Sequence, residues 1–500
     1  MNKEKKIVLV TGASGRIGSA VMQRLGEHFS DVVGFDRKAL SPSPPDCTHI
    51  PVDITSDDSL QDGLRVLREH HGTQIASVIH LAAYYDFLGK PSPRYDQITV
   101  EGTRRLLCGL REGGFEVEQF IFSSTMLVHR PGEPGEFLTE DWPLGPTWAY
   151  PESKVRTEAL IREERDAIPT VVLRYAGVYD DVCHSPPLAH QAQRIYEGQL
   201  AGQLYSGETS HGQAYLHLDD AVDAIECAVE HRAQLPPESV FLIGEPETLS
   251  YDELQHTFMR LIRGKSSETH SVPGPIAKLG AWAQGLLPGE QFIKPWMIDR
   301  ANDHYALDIS HARDVLGWKP RHTLRKSLPK MVVALQADPI GWYREHGLEP
   351  PASLKKSLEK AVATTEQSES TVAPAHEHIH TRSGEEHPAL ASEPEQGRNM
   401  HACPMHPGVC QSSPGNCPRC GTALEAAETT AAAQEAEYTC PMHPEVVASE
   451  PGRCPECGMA LELRTVPSEA QGGHHKHQTH GEHASHPLEV SGEGRVTEYT

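Results

Sequence analysis

Val8-Leu9-Val10-Thr11-Gly12-Ala13-Ser14-Gly15-Arg16-Ile17-Gly18 decides how the first two thirds of this chain are read. A β-branched run stops at a glycine-rich turn, and the turn opens an amphipathic segment. Gly12 permits the tight turn, Gly15 lets the backbone approach a pyrophosphate, and Gly18 lets a helix pack close to the strand. The first N–H groups of that helix have no partner within it, so they face any anion laid across its end. Asp36 closes the next apolar run, where a carboxylate can hold an adenosine ribose 2′-hydroxyl and would repel a 2′-phosphate. NAD is therefore the expected dinucleotide, and Arg37 next door keeps NADP open. Gly12, Ser14, Gly15, Arg16, Ile17, Gly18, Asp36 and Arg37 are the expected contacts of this half-site.

Outward from the turn, short apolar runs alternate with segments of helical length. Strands are expected at Ile7–Val10, Val32–Phe35, Ser77–Leu81, Phe120–Ser123, Thr170–Arg174 and Val240–Ile243. Gly18–Gly26, Thr99–Arg111 and Glu152–Arg165 are expected to be helical. Such alternation predicts an α/β fold, a Rossmann-like doubly wound parallel sheet. From about 180 to 340 the pattern is less regular and includes an amphipathic piece, Ile276–Leu287, which predicts a smaller α/β substrate lobe.

The chain of 500 residues exceeds one ordinary domain. Its formal charge is 45 − 69 = −24, which opposes nucleic-acid binding, because no phosphate counterions would be released. No run reaches the roughly 18 apolar residues of a membrane span. The lysines at 3, 5 and 6 precede an apolar run that ends at Thr11-Gly12, too short for a signal peptide. A cytoplasmic location is expected.

Tyr150-Pro151-Glu152-Ser153-Lys154 places a phenol and an ammonium four residues apart, on one face of a helix. A nearby ammonium can lower the phenol's pKa and make it an acid/base near neutral pH. Pro151 requires the helix to start close by. Ser123-Ser124-Thr125 ends the preceding strand. Ser124 and Thr125 are candidates to hydrogen-bond a reacting oxygen, while capping of the strand end is expected to occupy at least one of the three hydroxyls.

At this point the sequence resembles the extended short-chain dehydrogenase/reductases, the NAD-dependent epimerase/dehydratase group, over about residues 6–335. The resemblance rests on the glycine turn, Asp36, Val52-Asp53-Ile54, His80-Leu81-Ala82-Ala83, Ser123-Ser124-Thr125, Tyr150 with Lys154, and Leu173-Arg174. It continues through His217-Leu218-Asp219-Asp220 and Asp308-Ile309-Ser310, followed by Leu316-Gly317-Trp318-Lys319-Pro320. It implies Tyr150 as acid/base, Lys154 as its tuner and a ribose ligand, and Thr125 as the hydroxyl that orients substrate. It further implies Asp53 and Ile54 beside the adenine, the Leu81-Ala82-Ala83 backbone along the dinucleotide, a small-molecule substrate and a homodimer. Three positions depart from nucleotide-sugar members. Gly177 stands where Asn is usual, Gln213-Ala214 where Arg-Asp is usual, and Val128-His129-Arg130 where Val-Tyr-Gly is usual. With a segment from Val272-Pro273 to Leu287 that resembles the lid of hydroxysteroid-dehydrogenase-like members, they point to a non-nucleotide hydroxy or carbonyl substrate.

The composition changes at Glu349-Pro350-Pro351. We expect the first domain over 1–345, a disordered His-containing linker over 346–400, and metal-binding repeats over 401–425 and 438–463. A spacer at 426–437 separates the repeats, and a disordered His-rich tail follows over 464–500. Cys403-Pro404-Met405-His406-Pro407 recurs as Cys440-Pro441-Met442-His443-Pro444, a period of 37. Each repeat offers C-x2-H and then C-x2-C: Cys403, His406, Cys417 and Cys420, then Cys440, His443, Cys454 and Cys457. Three thiolates and an imidazole suit Zn²⁺, and thiolates also suit Cu⁺. The repeats resemble the short heavy-metal-binding domain of copper- and silver-handling efflux proteins. The first copy is degenerate, with Thr422 where the motif closes on Met. His376, His378, His380 and His387, then His474, His475, His477, His480, His483 and His486, flank the modules as loose metal binders or as solvated linker. Two functions compete: an NAD-dependent oxidoreductase, epimerase or dehydratase with a heavy-metal-binding tail, and a non-catalytic dinucleotide-binding sensor or metal-sequestering protein.

Overall fold

Residues 6–356 are described in the computed structural model, apart from 40–43, 45–46, 87–88, 266–268 and 285–294, together with short strands between 401 and 464. The chain divides near residue 373 into two units, each described by itself.

The first unit opens with β1 (Ile7–Thr11), α1 (Arg16–Leu25), β2 (Val32–Asp36), β3 (Cys47–Pro51), α2 (Asp57–His71) and β4 (Gln74–His80). A π-helical turn at Tyr95–Val100 leads into α3 (Glu101–Glu112), the two-residue β5 (Glu116–Val117), β6 (Phe120–Thr125), α4 (Ala149–Glu164) and β7 (Thr170–Tyr175). Then follow β8 (Gly177–Tyr179), α5 (Pro186–Glu197), β9 (Leu204–Tyr205), β10 (Tyr215–His217), α6 (Leu218–Glu230) and β11 (Glu238–Ile243). The remainder is α7 (Tyr251–Arg263), β12 (His270–Ser271), α8 (Gly274–Gln284), α9 (Pro295–Asp299), α10 (Ser310–Leu316), α11 (Leu324–Ala337) and α12 (Pro339–Glu345).

The main sheet runs β11-β7-β6-β4-β1-β2-β3, with β5 paired to β4 at the side. All its pairings are parallel. Parallel sheets are covered on both faces, which is why their strands read as continuous apolar runs. In β1, Val8 and Val10 join the core beneath α1 and α6, while Ile7 and Leu9 join the opposite core with Phe120 and Phe122. The strand order reverses between β1 and β4, and that switch point opens a crevice at the carboxyl ends of the strands.

Every expected strand is present, β4 beginning earlier than expected. The sheet has two more, the two-residue β5 and β3, which no apolar run announces: of the five residues of β3 only Ile50 is buried. Two sequence motifs about a hundred residues apart meet at the start of α6. The carboxylate of Asp220, fully buried, accepts from Arg321 N (3.0 Å), His322 N (2.9 Å) and His322 Nδ1 (3.1 Å), and Trp318 Nε1 donates to Asp220 O (2.9 Å). The fold runs past the boundary expected at 345. His346 is buried, and Leu348 and Leu354 pack on the third apolar core, formed by α5, α7, α11 and α12. Cys47, Cys108, Cys183 and Cys227 are in the thiol form. Among the described residues no helix is long and apolar enough to cross a membrane.

In the second unit, β13 (His401–Cys403), β14 (His406–Gln411) and β15 (Glu425–Ala426) form an antiparallel sheet, as do β16 (Glu437–Thr439), β17 (Val447–Ala448) and β18 (Glu462–Arg464). The pairings His401↔Gln411 and His401↔Ala426 recur as Tyr438↔Ala448 and Tyr438↔Leu463, 438 − 401 = 37 residues on. The sequence period is thus a period of strand register. Cys403 and His406 are cross-strand partners on the backbone. The ligands expected at Cys417, Cys420, Cys440, His443, Cys454 and Cys457, the linker from 357 to 400 and the tail from 465 lie outside the described residues.

Candidate active site

The glycine turn lies over the switch point. Gly12 has φ +69°, and a Cβ there would stand 2.8 Å from Ala82 N, so only glycine lets the loop after β4 approach. A Cβ at Gly18 would stand 2.1 Å from Gly12 O, so α1 can touch the turn only through glycine. The loop after β4 is held from beneath by a closed chain of hydrogen bonds. Ala82 N donates to Thr11 Oγ1 (3.3 Å), and the Thr11 hydroxyl bonds His80 Nδ1 (2.7 Å). His80 Nε2 bonds Thr103 Oγ1 (2.8 Å), which donates to Thr99 O (2.6 Å). With both ring nitrogens satisfied in the core, burial pushes the His80 pKa down to about 3 and keeps the ring neutral.

Asp36, at the end of β2, turns its carboxylate back over the turn: Oδ2 accepts from Ser14 N (3.0 Å) and Oδ1 from Lys38 N (3.1 Å). A cavity of about 140 Å³ beside it is lined by Gly12, Ser14, Gly15, Asp36, Arg37, Asp53, Ile54, Ala82 and Ala83. These residues fit the adenosine half of a dinucleotide: a backbone cradle with no side chain in the way, a carboxylate at its edge, and Ile54 on its wall. Gly18 lies beneath the turn and lines neither this cavity nor the next one.

A second cavity, of about 520 Å³, holds Arg16, Ile17, Leu81, Ala83, Ser124, Thr125, Tyr150 and Lys154. Helix α4 begins at Ala149, which puts Pro151 in its first turn, where a missing N–H costs nothing. Its inward face carries Ser153, Lys154, Thr157 and Glu158 among the buried residues. A polar buried face is costly unless each group is met, and here each is. The Thr125 hydroxyl lies near the Tyr150 phenol and favours its ionised form. Lys154 Nζ donates to Ser123 O (2.7 Å) and lies 5.8 Å from the Tyr150 ring centre.

Ser124 is the strand-end hydroxyl with another task. Its Oγ donates to Glu158 Oε1 (2.5 Å), and Arg174 clamps the same carboxylate at 2.7 Å and 3.2 Å. Arg174 Nη1 also reaches Glu140 O (2.9 Å) and His129 Nε2 (3.1 Å). This network lies under the cavity floor. Glu158 is one turn after Lys154, so its register on α4 was readable; Arg174 was legible only as part of the strand motif.

Burial raises Tyr150 to about 12, against the opposing pull of the Thr125 hydrogen bond. Burial also lowers Lys154 to about 7, with Glu158 pulling the other way. Lys154→Met is therefore expected to stabilise the folded protein by a few kcal/mol, the cost of keeping an ammonium charged where burial disfavours it. The unfolded lysine binds more protons than the folded one between about pH 7 and the ordinary value of 10.5. The gain in the variant should thus be full below pH 7 and shrink as pH rises through that window. Urea denaturation of both proteins at pH 6.5 and 9 measures it.

Aromatic residues that no sequence period announces crowd the phenol. Tyr85 stands edge-on to Tyr150 at 4.8 Å between centres, and Trp148 lies at 5.4 Å. The cavity wall also includes Leu204, Tyr205, Tyr251, Met297 and Ile298. Two departures noted in the sequence meet in this wall: a Cβ at Gly177 would lie 3.1 Å from Gln213 Nε2 and 3.2 Å from the Tyr215 ring. The space of the missing side chain is already filled. Arg16 Nη1 donates to Asp180 Oδ2 (3.3 Å), and His184 Nδ1 donates to the same oxygen (2.6 Å). Burial would raise the Asp180 carboxyl, but the His184 hydrogen bonds and the Arg16 charge hold it down at about 2.

Known proteins share this arrangement. Residues 8–244 match the NAD dependent epimerase/dehydratase family, and residues 402–427 and 437–462 each match the heavy metal binding domain. A UDP-glucose 4-epimerase of Streptomyces lividans is 29% identical over 68% of this chain and 96% of its own. A 3-beta-hydroxysteroid dehydrogenase of Mycolicibacterium neoaurum is 23% identical over 64% of this chain and 89% of its own. The crystal structure of a UDP-glucuronic acid 4-epimerase from Bacillus cereus, with UDP-glucuronic acid and NAD, has a TM-score of 0.50 at 23% identity. That match covers 66% of this chain and 99% of that one. With the sheet order, the glycine turn and these matches together, the N-terminal domain of this chain belongs to the NAD dependent epimerase/dehydratase family of extended short-chain dehydrogenase/reductases.

Proposed function

We propose that the N-terminal domain is an NAD-dependent oxidoreductase, epimerase or dehydratase that works at a carbinol or carbonyl carbon of a small molecule, with Tyr150 as acid/base. The observation that carries this reading is the meeting of Tyr150, Thr125 and Lys154 in one cavity beside the glycine turn. When bound, the dinucleotide supplies the hydride acceptor or donor. Tyr150 holds its proton at neutral pH and gives it to a carbonyl oxygen, and in the reverse direction its phenolate takes the carbinol proton. Thr125 orients the same oxygen. Lys154, fixed on Ser123 O, stands beside the phenol and reaches the ribose. Asp36 favours NAD over NADP, because a 2′-phosphate would meet its carboxylate. Asp36→Ala is expected to weaken NADH binding about tenfold, the worth of one charge-assisted hydrogen bond, and to narrow the NAD/NADP preference. Titration of NADH and NADPH fluorescence measures both.

The substrate we favour is a hydroxy or carbonyl compound other than a nucleotide sugar. Gln213 and the Tyr215 ring occupy the wall at Gly177, and Tyr85 and Trp148 offer apolar faces beside the phenol. A screen of cyclic alcohols and ketones against UDP-sugars, read by NADH absorbance and product analysis, separates the classes. Turnover of UDP-sugars alone refutes this preference and leaves the Tyr150 assignment standing. For the tail, Cys403, His406, Cys417 and Cys420, and Cys440, His443, Cys454 and Cys457, would hold one Zn²⁺ or Cu⁺ per repeat. Elemental analysis of the reconstituted chain should lose one tightly bound ion in Cys417→Ser and another in Cys454→Ser.

A further inference from the structure

Away from the cavity and its floor, His217, Asp219 and His322 bring their candidate ligand atoms within 4.8 Å of one another. Two motifs create this meeting. His217 ends β10 and caps α6, its Nδ1 accepting from Asp219 N (3.2 Å). His322 arrives with the segment pinned to α6 by Asp220. The buried Asp220 carboxylate accepts a hydrogen bond from His322 Nδ1–H (3.1 Å), which leaves Nε2 with its lone pair, 3.9 Å from Asp219 Oδ2. Metal-ligating histidines are fixed in the same way, by a carboxylate on the other ring nitrogen.

A second, independent observation points to a missing ligand. His217 Nε2 and Asp181 Oδ1 are both buried, and neither has a hydrogen-bond partner. The His217 side chain is only 5% exposed. The two atoms stand 3.6 Å apart, beyond hydrogen-bond reach. Two ligands on one tetrahedral ion stand about 3.3–3.5 Å apart when metal–ligand distances are about 2.0–2.2 Å. Lys330 occupies the other oxygen, Asp181 Oδ2, at 2.7 Å.

We propose that His217, His322 and Asp219, with Asp181 as a fourth ligand, form a binding site for a divalent ion of the Zn²⁺ class. Two imidazoles and two carboxylates are a borderline donor set that neutralises a dication. The two imidazoles now stack at 4.0 Å with 19° between planes, so their lone pairs run side by side. Binding tilts one ring against the other until they converge and shifts the His217 proton from Nε2 to Nδ1, which gives up its hydrogen bond from Asp219 N. The ion ties the loop after β8 to α6 and to the 318–322 segment. The preceding residue of that loop, Asp180, holds Arg16 on the cavity wall.

The test uses the full chain with the four tail cysteine and histidine ligands of each repeat replaced by Ser and Asn. This protein and its His322→Phe variant, which keeps a ring in the stack, are titrated with Co²⁺ at neutral pH and followed by visible absorption. The parent should bind one more Co²⁺ than the variant, with the intense d–d bands of a four-coordinate site, and Asp181→Asn should weaken that binding at least tenfold. Equal stoichiometry and superimposable spectra in parent and His322→Phe overturn the proposal, since Co²⁺ held by the His-rich segments is common to both. If His322→Phe does not fold, Asp219→Asn and Asp181→Asn carry the same comparison, and unchanged binding in both overturns it.

Discussion

Tyr150→Phe is expected to lower kcat/KM by about 10²–10⁴-fold, the range lost when a positioned acid/base is removed. NADH affinity should be nearly unchanged, because the phenol hydroxyl faces Thr125 rather than the glycine turn. The ring itself is retained, and with it the edge contact with Tyr85. A fall in kcat with little change in NADH binding assigns the proton transfer to this hydroxyl. If the variant turns over every substrate at the wild-type rate, the acid/base assignment fails. A chain that binds NADH and turns over nothing would instead match the alternative of a non-catalytic, metal-responsive binding protein.

The second large effect is on stability. Arg174→Met should cost about 3–5 kcal/mol, because it strands the Glu158 carboxylate in the core. Both side chains of the pair are 6% exposed, and Arg174 is the only cation hydrogen-bonded to that carboxylate among the described residues. The double variant Arg174→Met/Glu158→Leu should recover most of the loss, since neither charge is then buried alone. Urea midpoints at unchanged m-value measure both steps. If the double variant is no more stable than the single one, the loss came from packing or from Glu140 and His129, which Arg174 also contacts.

Much of the architecture was legible before any coordinates. The β-branched runs mark the strands because a parallel sheet is covered on both faces. Gly12 and Gly18 mark the turn because a Cβ at either position would collide with backbone. The tail repeat was legible as a period of 37 and returns as strand register. β3 was not legible, since Cys47–Pro51 forms a sheet edge with one buried residue and needs no apolar run. Nor was the end of the domain. Leu348 and Leu354 sit in a polar stretch and are partly buried only because the core of α5, α7 and α11 leaves them a surface.

The sequence by itself determined the cofactor crevice and the Tyr150–Lys154 pair, because both are local: a turn of a few residues and one helical repeat. Tertiary structure decided what surrounds them. It set the Tyr150 and Lys154 proton affinities through burial, turned Ser124 away to Glu158, and packed Gln213 and Tyr215 against Gly177. It also brought His217 and His322 together across more than a hundred residues. Desolvation and contact depend on which chain segments close over a group, and local spacing carries no information about that.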